Sequence, residues 1–495
     1  MRYRMLSFVL VALFACNAND PTTSIGSPAL ARVRANASVL APNGTSFDTI
    51  SIGETTQLTT TINNAKWSSR APSVASVTSS GLVTGVSQGQ TYVIASKGQQ
   101  RDSARITVQN VVQPPVGITI ALGMNADSAT QANPPGTTFV FAPGTHVRQS
   151  VRPKSGNTYL GTGAVLDGEN ATTYAFHGRT GSVWADNVTI KHVRVTRYLP
   201  PAQLGAITAG EHNAWPDATS GWAVDSVEVH HNANVGVRIG TRMRVLRSNL
   251  HHNGTINVGG VGRAVVVDGI ESSYANDGCP NDPGFESGGT KFVLTDSLVV
   301  RNSFFHHNCG VGLWLDIDNI NYVLENNRVE DNVREGICVE ISYAGVIRNN
   351  QVARNGWPTD PYRGNGWGWD AGIGVHASPN VEVYGNTLTE NFNGIVGLQQ
   401  ARGSGTLGSY VLENLHVHDN TVYQRVAPSN ADGGFAGAIV QDIGDTSYFT
   451  SRNNRWANNT YFIGGNPWPF AWMNGIRTAS QWQSFGNDVT GTFNP

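Results

Sequence analysis

The chain has 495 residues, enough for two or three domains, and its 33 Lys+Arg nearly balance 35 Asp+Glu. Charged residues make up only 14%, which argues against a protein that binds nucleic acid or another polyanion through bulk charge. The 56 glycines suit a β-protein with many tight turns, because Gly adopts backbone conformations closed to other residues.

Arg2 and Arg4 precede the apolar run "MLSFVLVALFA". That run is too short to span a bilayer as a mature helix and reads as an export signal over residues 1–15. It ends in "LFAC", which resembles a bacterial lipoprotein signal, and the resemblance implies lipidation of Cys16 and a membrane anchor. Ordinary secretion with nearby cleavage stays open, because Phe14 is bulky for that motif. Residues 16–29 are small and polar, as in a tether. Three cysteines remain, Cys279, Cys309 and Cys338. The odd count leaves at least one thiol free, and Cys279 could pair with Cys309.

Residues 30–110 alternate apolar and polar positions in short runs separated by turns, the pattern of a small β-sandwich. The phrase "WSSRAPSVASVTSSGLVTGVSQGQTYVIAS" closely resembles the bacterial Ig-like domain of group 2, which implies a spacer or adhesive module without chemistry. A Pro-rich linker follows at 111–117.

From 118 to 495 a repeat organises the chain. "VLRSNLHHN", "VVRNSFFHHN", "VLENNRVEDN" and "VIRNNQVARN" recur, with Asn308, Asn332 and Asn355 spaced 24 and 23 residues apart. A period in the low twenties with short strands in each repeat predicts a solenoid, and Asn at equivalent turns can share side-chain hydrogen bonds between coils. The opening "TTFVFAPGTHVRQSVRPKSGNTYLGTGAVLDG" resembles the first coils of right-handed parallel β-helices of the pectate lyase and polygalacturonase type. The fold class is therefore read as all-β, a right-handed parallel β-helix preceded by a small Ig-like β-sandwich.

Aligning the coils on Gly236, Gly312, Gly336 and Gly372 fixes a register. Positions one, three and five after each Gly are apolar or small and should face inward: Leu313, Leu315 and Ile317, then Ile337, Val339 and Ile341. Positions two, four and six should face solvent. Position four then reads Asp316, Glu340 and His376 in adjacent coils, with Trp314 at position two and Asp318 at position six of the first. Lys291 and Glu286 belong to the preceding coil, and Arg238 and Arg242 should point the same way further back. Strands about 4.8 Å apart make this a compact ionisable strip. The insertion "NGWPTDPYRGNGWGWD" brings Trp357, Trp367 and Trp369, and its length suggests a cleft wall. The pieces "ESGGTK", "GLWLDIDN" and "EIS" also resemble a recurring phrase of bacterial β-helix proteins. That resemblance singles out Glu286, Lys291, Asp316, Asp318 and Glu340 and implies a carbohydrate-active β-helix without specifying its chemistry.

Adjacent carboxylates should raise one another's pKa, so Asp316 and Glu340 are candidates for general acid and for nucleophile or base in glycoside hydrolysis. Lys291 and His376 complete the catalytic set. Glu286, Trp314, Asp318, Arg238, Arg242, Trp367 and Trp369 are candidates for binding substrate. A polysaccharide lyase is the rival enzyme, using Lys291 with Arg238 or Arg242, or a Ca²⁺ held by Asp316, Asp318, Glu286 and Glu340. A non-catalytic glycan-binding or adhesive surface protein is the alternative outside catalysis. No cofactor is required in the hydrolytic reading. The "HHN" pairs (His230/His231, His251/His252, His306/His307) sit at turns, with the members of each pair on opposite sides of the strand, and read as turn ladders, not a metal site. The tail "SQWQSFGNDVTGTF" reads as a terminal cap carrying Trp482 and Phe485. The expected whole is a monomeric envelope lipoprotein or extracellular protein, with a polysaccharide partner and no nucleic acid.

Overall fold

The computed structural model describes residues 39–40, 46–98, 100–109, 116–180, 183–210, 221–357, 367–424 and 434–495. The signal, Cys16, the tether, most of the linker and residues 358–366 of the Trp-bearing insertion lie outside the described residues. The chain divides into two units at Val116/Gly117.

The first unit is a β-sandwich. One sheet runs in the order Phe47–Ser51, Gln100–Gln109, Gly89–Lys97, Lys66–Ser69, and the other in the order Thr55–Gln57, Leu82–Gly85, Ala75–Val77. Ile50, Leu58, Val83, Val93, Ile106 and Val108 fill the space between them.

The second unit is a parallel β-helix. Among the described residues, strands of successive coils stack in a 24-stranded and a 12-stranded sheet. One coil contributes Leu313–Asp316 to the smaller sheet, then Tyr322–Glu325 and Arg328–Glu330 to the larger. The inward positions pair like with like: Leu313 with Ile337 and Ile337 with Ile373, Leu324 with Ile347, and Val329 with Val352. These side chains form the interior, so each coil buries its apolar face only against its neighbours.

Asparagine ladders tie the coils at the turns. Nδ2 of Asn308, Asn332 and Asn355 donates to Oδ1 of the next coil's Asn at 2.9, 2.8 and 2.9 Å, ending on Asn391. A second ladder runs from Asn327 through Asn350, Asn386 and Asn420 to Asn459, and terminates on Asp488. The phasing glycines follow from the first ladder. A Cβ on Gly312 or Gly336 would meet the Nδ2 of Asn332 or Asn355 at 2.6 or 2.7 Å, so only Gly lets the ladder pack against the strand start.

Both ends are closed. Helix Ala126–Ala132 is capped by Asn125, which accepts from the Ser128 amide, and its Thr130 hydroxyl reaches Tyr159 at 3.1 Å. Helix Ala479–Ser484 carries a Thr478/Gln481 capping box and buries Trp482 against Phe470, Trp456 and Trp472. Phe485 departs from its expected capping role: it stays 46% exposed, one residue past the helix end. Cys279 and Cys309 form a disulfide, and the Cys338 thiol is buried, 3.7 Å from His376 Nδ1.

Candidate functional site

The rung pairing places Asp316, Glu340 and His376 side by side in adjacent strands, with Trp314, Cys338 and Gly374 in the parallel row two residues earlier. Phe292 pairs with Leu315, so Lys291 falls in the Trp314 row. Gly259 and Arg238 continue that row backwards. The ionisable strip therefore exists, and it faces away from the core.

It does not face solvent. Asp316, Glu340, His376, Lys291 and Trp314 are only 7%, 2%, 1%, 4% and 3% exposed. Loops leaving other coils cover them, which strand alternation cannot reveal. The Cys279–Cys309 bridge ties one of these loops, the segment ahead of Gly288, to the next coil. That loop brings Glu286 to Lys291, whose Nζ lies 2.9 Å from Glu286 Oε1 and 3.0 Å from Asp316 Oδ2. The same ammonium sits 4.0 Å from the centre of the Trp314 ring, so Trp314 supports a cation and offers no open platform to a sugar.

A second cover comes from residues 399–411, where Arg402 donates to Glu340 Oε1. Asp318 anchors this segment: its carboxylate accepts from the Thr406 amide (2.9 Å), the Thr406 hydroxyl (2.8 Å) and the Tyr410 hydroxyl (2.7 Å). The strands end earlier than alternation implies. Ile317, Ile341 and Ala377 have φ of 60°, 37° and 44°. The chain turns there, and Ile341 and Ala377 join a small cluster with Tyr343 and Tyr410 outside the interior. Positions five and six thus leave the strand pattern, which removes Asp318 from the strip. Arg242 leaves for the same reason: it lies exposed in a turn at φ 53°. Arg238 remains in the row, buried, with no partner for its Nε among the described residues.

Trp367 and Trp369 do not line an open wall. Further along the helix the outward rows turn apolar, with Val396 and Leu398 and then Ala438 and Val440, and Trp369 packs on them while Trp367 meets Phe435 edge-on at 5.5 Å. Trp369 also closes the end of the strip, edge-on to His376 at 4.8 Å. Buried Arg334 pairs with Asp370 at 2.6 Å behind it. Trp357 donates from its indole to the Glu390 carbonyl, away from the strip.

The electrostatics differ along the strip. Burial, reinforced by Glu340 and opposed by Lys291, pushes the Asp316 carboxyl up to about 6. Burial works against the Lys291 ammonium, but Asp316 and Glu286 prevail and hold it well above its ordinary value. Burial brings His376 down to about 4, opposed by Glu340 and aided by Arg402 and Arg334. Burial likewise lowers Arg238 to about 10. Asp316 Oδ1 and His376 Nε2 have no hydrogen-bond partner among the described residues. The Lys291 ammonium stands between Glu286 and Asp316, and the Asp318 carboxylate is engaged by the 399–411 segment.

Beyond Arg402 opens a cleft of about 650 Å³, lined among others by Tyr343, Gln399, Arg402, Tyr410 and Glu413. That is the size of many small-ligand sites. Arg402 both lines the cleft and holds Glu340. Sequence patterning missed Arg402, Arg334, Asp370 and the tyrosine pair, because Arg402 lies 62 residues beyond Glu340 in a segment with no repeat signature.

Residues 46–108 match the family model of the bacterial Ig-like domain (group 2), and residues 215–388 match that of the right handed beta helix region. None of the curated proteins matches the sequence. Among solved structures, the A-module of a mannuronan C-5 epimerase from Azotobacter vinelandii is similar at 15% identity, covering 75% of this chain and 90% of that one with a TM-score of 0.43. The catalytic domain of a GH87 α-1,3-glucanase is similar at 10% identity, with 93% and 85% covered and a TM-score of 0.44. The surface adhesin PfbA of Streptococcus pneumoniae is similar at 11%, with 68% and 79% covered and a TM-score of 0.42. Strand pairing and family models thus agree on an Ig-like sandwich followed by a right-handed parallel β-helix.

Proposed function

We propose that this is an exported surface protein whose β-helix binds a polysaccharide and cleaves it by acid/base glycoside hydrolysis. The observation that carries the reading is the pairing of Asp316 with Glu340 in adjacent coils, one carboxyl shifted toward neutrality and the other held by an arginine that lines a cleft. In this reading Asp316 gives its proton to the glycosidic oxygen through its unpartnered Oδ1. Glu340 acts as nucleophile or as base toward water once a sugar in the cleft has drawn Arg402 away. Lys291, between two carboxylates, keeps the Asp316 side chain aimed. Its firmly held proton also disfavours it as the base of an elimination, which supports hydrolysis over a lyase.

A polysaccharide degradation screen that follows both reducing ends and the absorbance of unsaturated products tests this reading. Asp316→Asn and Glu340→Gln should each keep the fold by circular dichroism and lower turnover by about 10²-fold, the usual scale for a general acid or base. Normal turnover in both variants, with Lys291→Ala inactive and unsaturated product formed, would establish the lyase. Binding without turnover on any glycan would establish an adhesive module.

A further inference from the structure

A second cluster of ligand-type side chains lies on the larger sheet, where the Glu228–His230 and Asn249–His251 strands end in consecutive coils. His231 and His252 have φ of 53° and 52°. Each therefore turns back toward its predecessor, so the two rings of a pair touch instead of lying on opposite sides of the strand as alternation implies. Nδ1 of His230 lies 2.7 Å from Nδ1 of His231, and the same atoms of His251 and His252 are 2.8 Å apart. Between coils, His230 stacks on His251 and His231 on His252, both at 4.9 Å. Nitrogen atoms of His230, His231 and His251 lie within 4.8 Å of one another.

We propose that His230, His231 and His251 form a binding site for a divalent transition ion of the Zn²⁺ class. The orientation of His251 is an independent pointer. Its Nε2 lies 3.1 Å from Glu228 Oε1. The carboxylate of Glu228, held on its other oxygen by Arg194 at 2.6 Å, can only accept. The His251 proton is therefore on Nε2, and the Nδ1 lone pair, 2.8 Å from His252 Nδ1, becomes a ligand when that contact opens. A carboxylate behind a histidine, fixing the tautomer that presents the other nitrogen, is the arrangement that supports metal-bound imidazoles. His230 Nε2 is buried without a hydrogen-bond partner among the described residues, so its ring can exchange tautomers without losing a bond there. His231 is exposed, which gives an ion access.

Tetrahedral Zn²⁺ at about 2.0–2.1 Å from each nitrogen needs nitrogens roughly 3.4 Å apart. The contact within a pair must open slightly and the gap between coils must narrow, both by side-chain rotation. Water completes the shell. The third pair, His306 and His307, has no imidazole neighbour of this kind. Ser273 and Tyr274 occupy the adjoining coil, and Tyr274 stacks on His252 and His307 at 4.8 and 5.3 Å.

The test is equilibrium dialysis of tag-free full chain against Zn²⁺, with bound metal quantified and melting followed in parallel. Wild type should take up one Zn²⁺ saturably and melt at higher temperature with it. His231→Ala and His251→Ala should each lose that uptake and that thermal shift while folding normally in chelator. Glu228→Gln, which removes no ligand, should weaken uptake about 10–100-fold. Glu340→Gln and His416→Ala should leave uptake unchanged, which separates this cluster from Cys338/Glu340/His376 and Glu382/His416/His418. Equal uptake by wild type and the His231→Ala/His251→Ala double variant would overturn the proposal and leave the imidazoles as packing at the turns.

Discussion

At the scale of single residues, Asp316 is where sequence and structure come nearest and part. Its place beside Glu340 was legible, because two apolar side chains per strand fix the register and leave position four outward. Its burial was not, since the groups that cover it come from Glu286 and from Arg402, neither of which shares the repeat. That burial has a consequence for pH. The Asp316 carboxyl is raised from 3.8 to about 6 in the folded chain, so folding favours its protonated form. The stability this contributes is fully present below the ordinary value and is lost as pH rises through about 6. His376 runs the other way: its lowered value contributes stability above about 6.5 that is lost as pH falls through about 4. A comparison with Asp316→Asn isolates the first effect, because that variant cannot ionise. Urea unfolding between pH 5 and 7.5 should show wild type losing stability relative to Asp316→Asn as pH passes 6. Parallel profiles for the two proteins would mean that Asp316 is ionised throughout.

At the scale of strands and turns, the recurring closing Asn was the clearest signal in the sequence, and it corresponds to the ladders. What the repeat could not specify is where each strand stops. Isoleucine at positions 317 and 341 reads as strand, yet both adopt left-handed φ, an outlier for a β-branched residue that neighbouring coils must enforce. The ladder also predicts unequal sensitivity to mutation. Asn332 donates to the Phe305 carbonyl and to Asn355, and accepts from both the backbone and the side chain of Asn308. Asn332→Ala strands several buried groups at once and should cost about 3 kcal/mol or more, since a single buried group left unsatisfied costs about 1–3 kcal/mol. The urea midpoint should drop while the slope of the transition holds. A change below about 0.5 kcal/mol, the usual size of a surface substitution, would show that the ladder is dispensable.

At the scale of the whole molecule, the order of the two folded modules followed from composition and phrase alone: an alternating sandwich, then the solenoid. Lipidation of Cys16 would be a chemical event that a fold does not report. If "LFAC" is lipidated, Cys16→Ser should move the protein from the membrane fraction to the soluble fraction on cell fractionation. Unchanged membrane association in that variant would discard the anchor. Within the solenoid, the spacing of the ladder carries a different lesson. Consecutive ladder residues are separated by 24 from Asn308 to Asn332, 23 from there to Asn355, and 36 from Asn355 to Asn391, yet the rungs stay aligned across all three steps. Coil length is therefore uncoupled from coil position. The covering loops are therefore exchangeable parts. Segments carrying different side chains could replace residues 400–411 without re-registering the strands, and one wall could present a new surface each time its loops were rewritten.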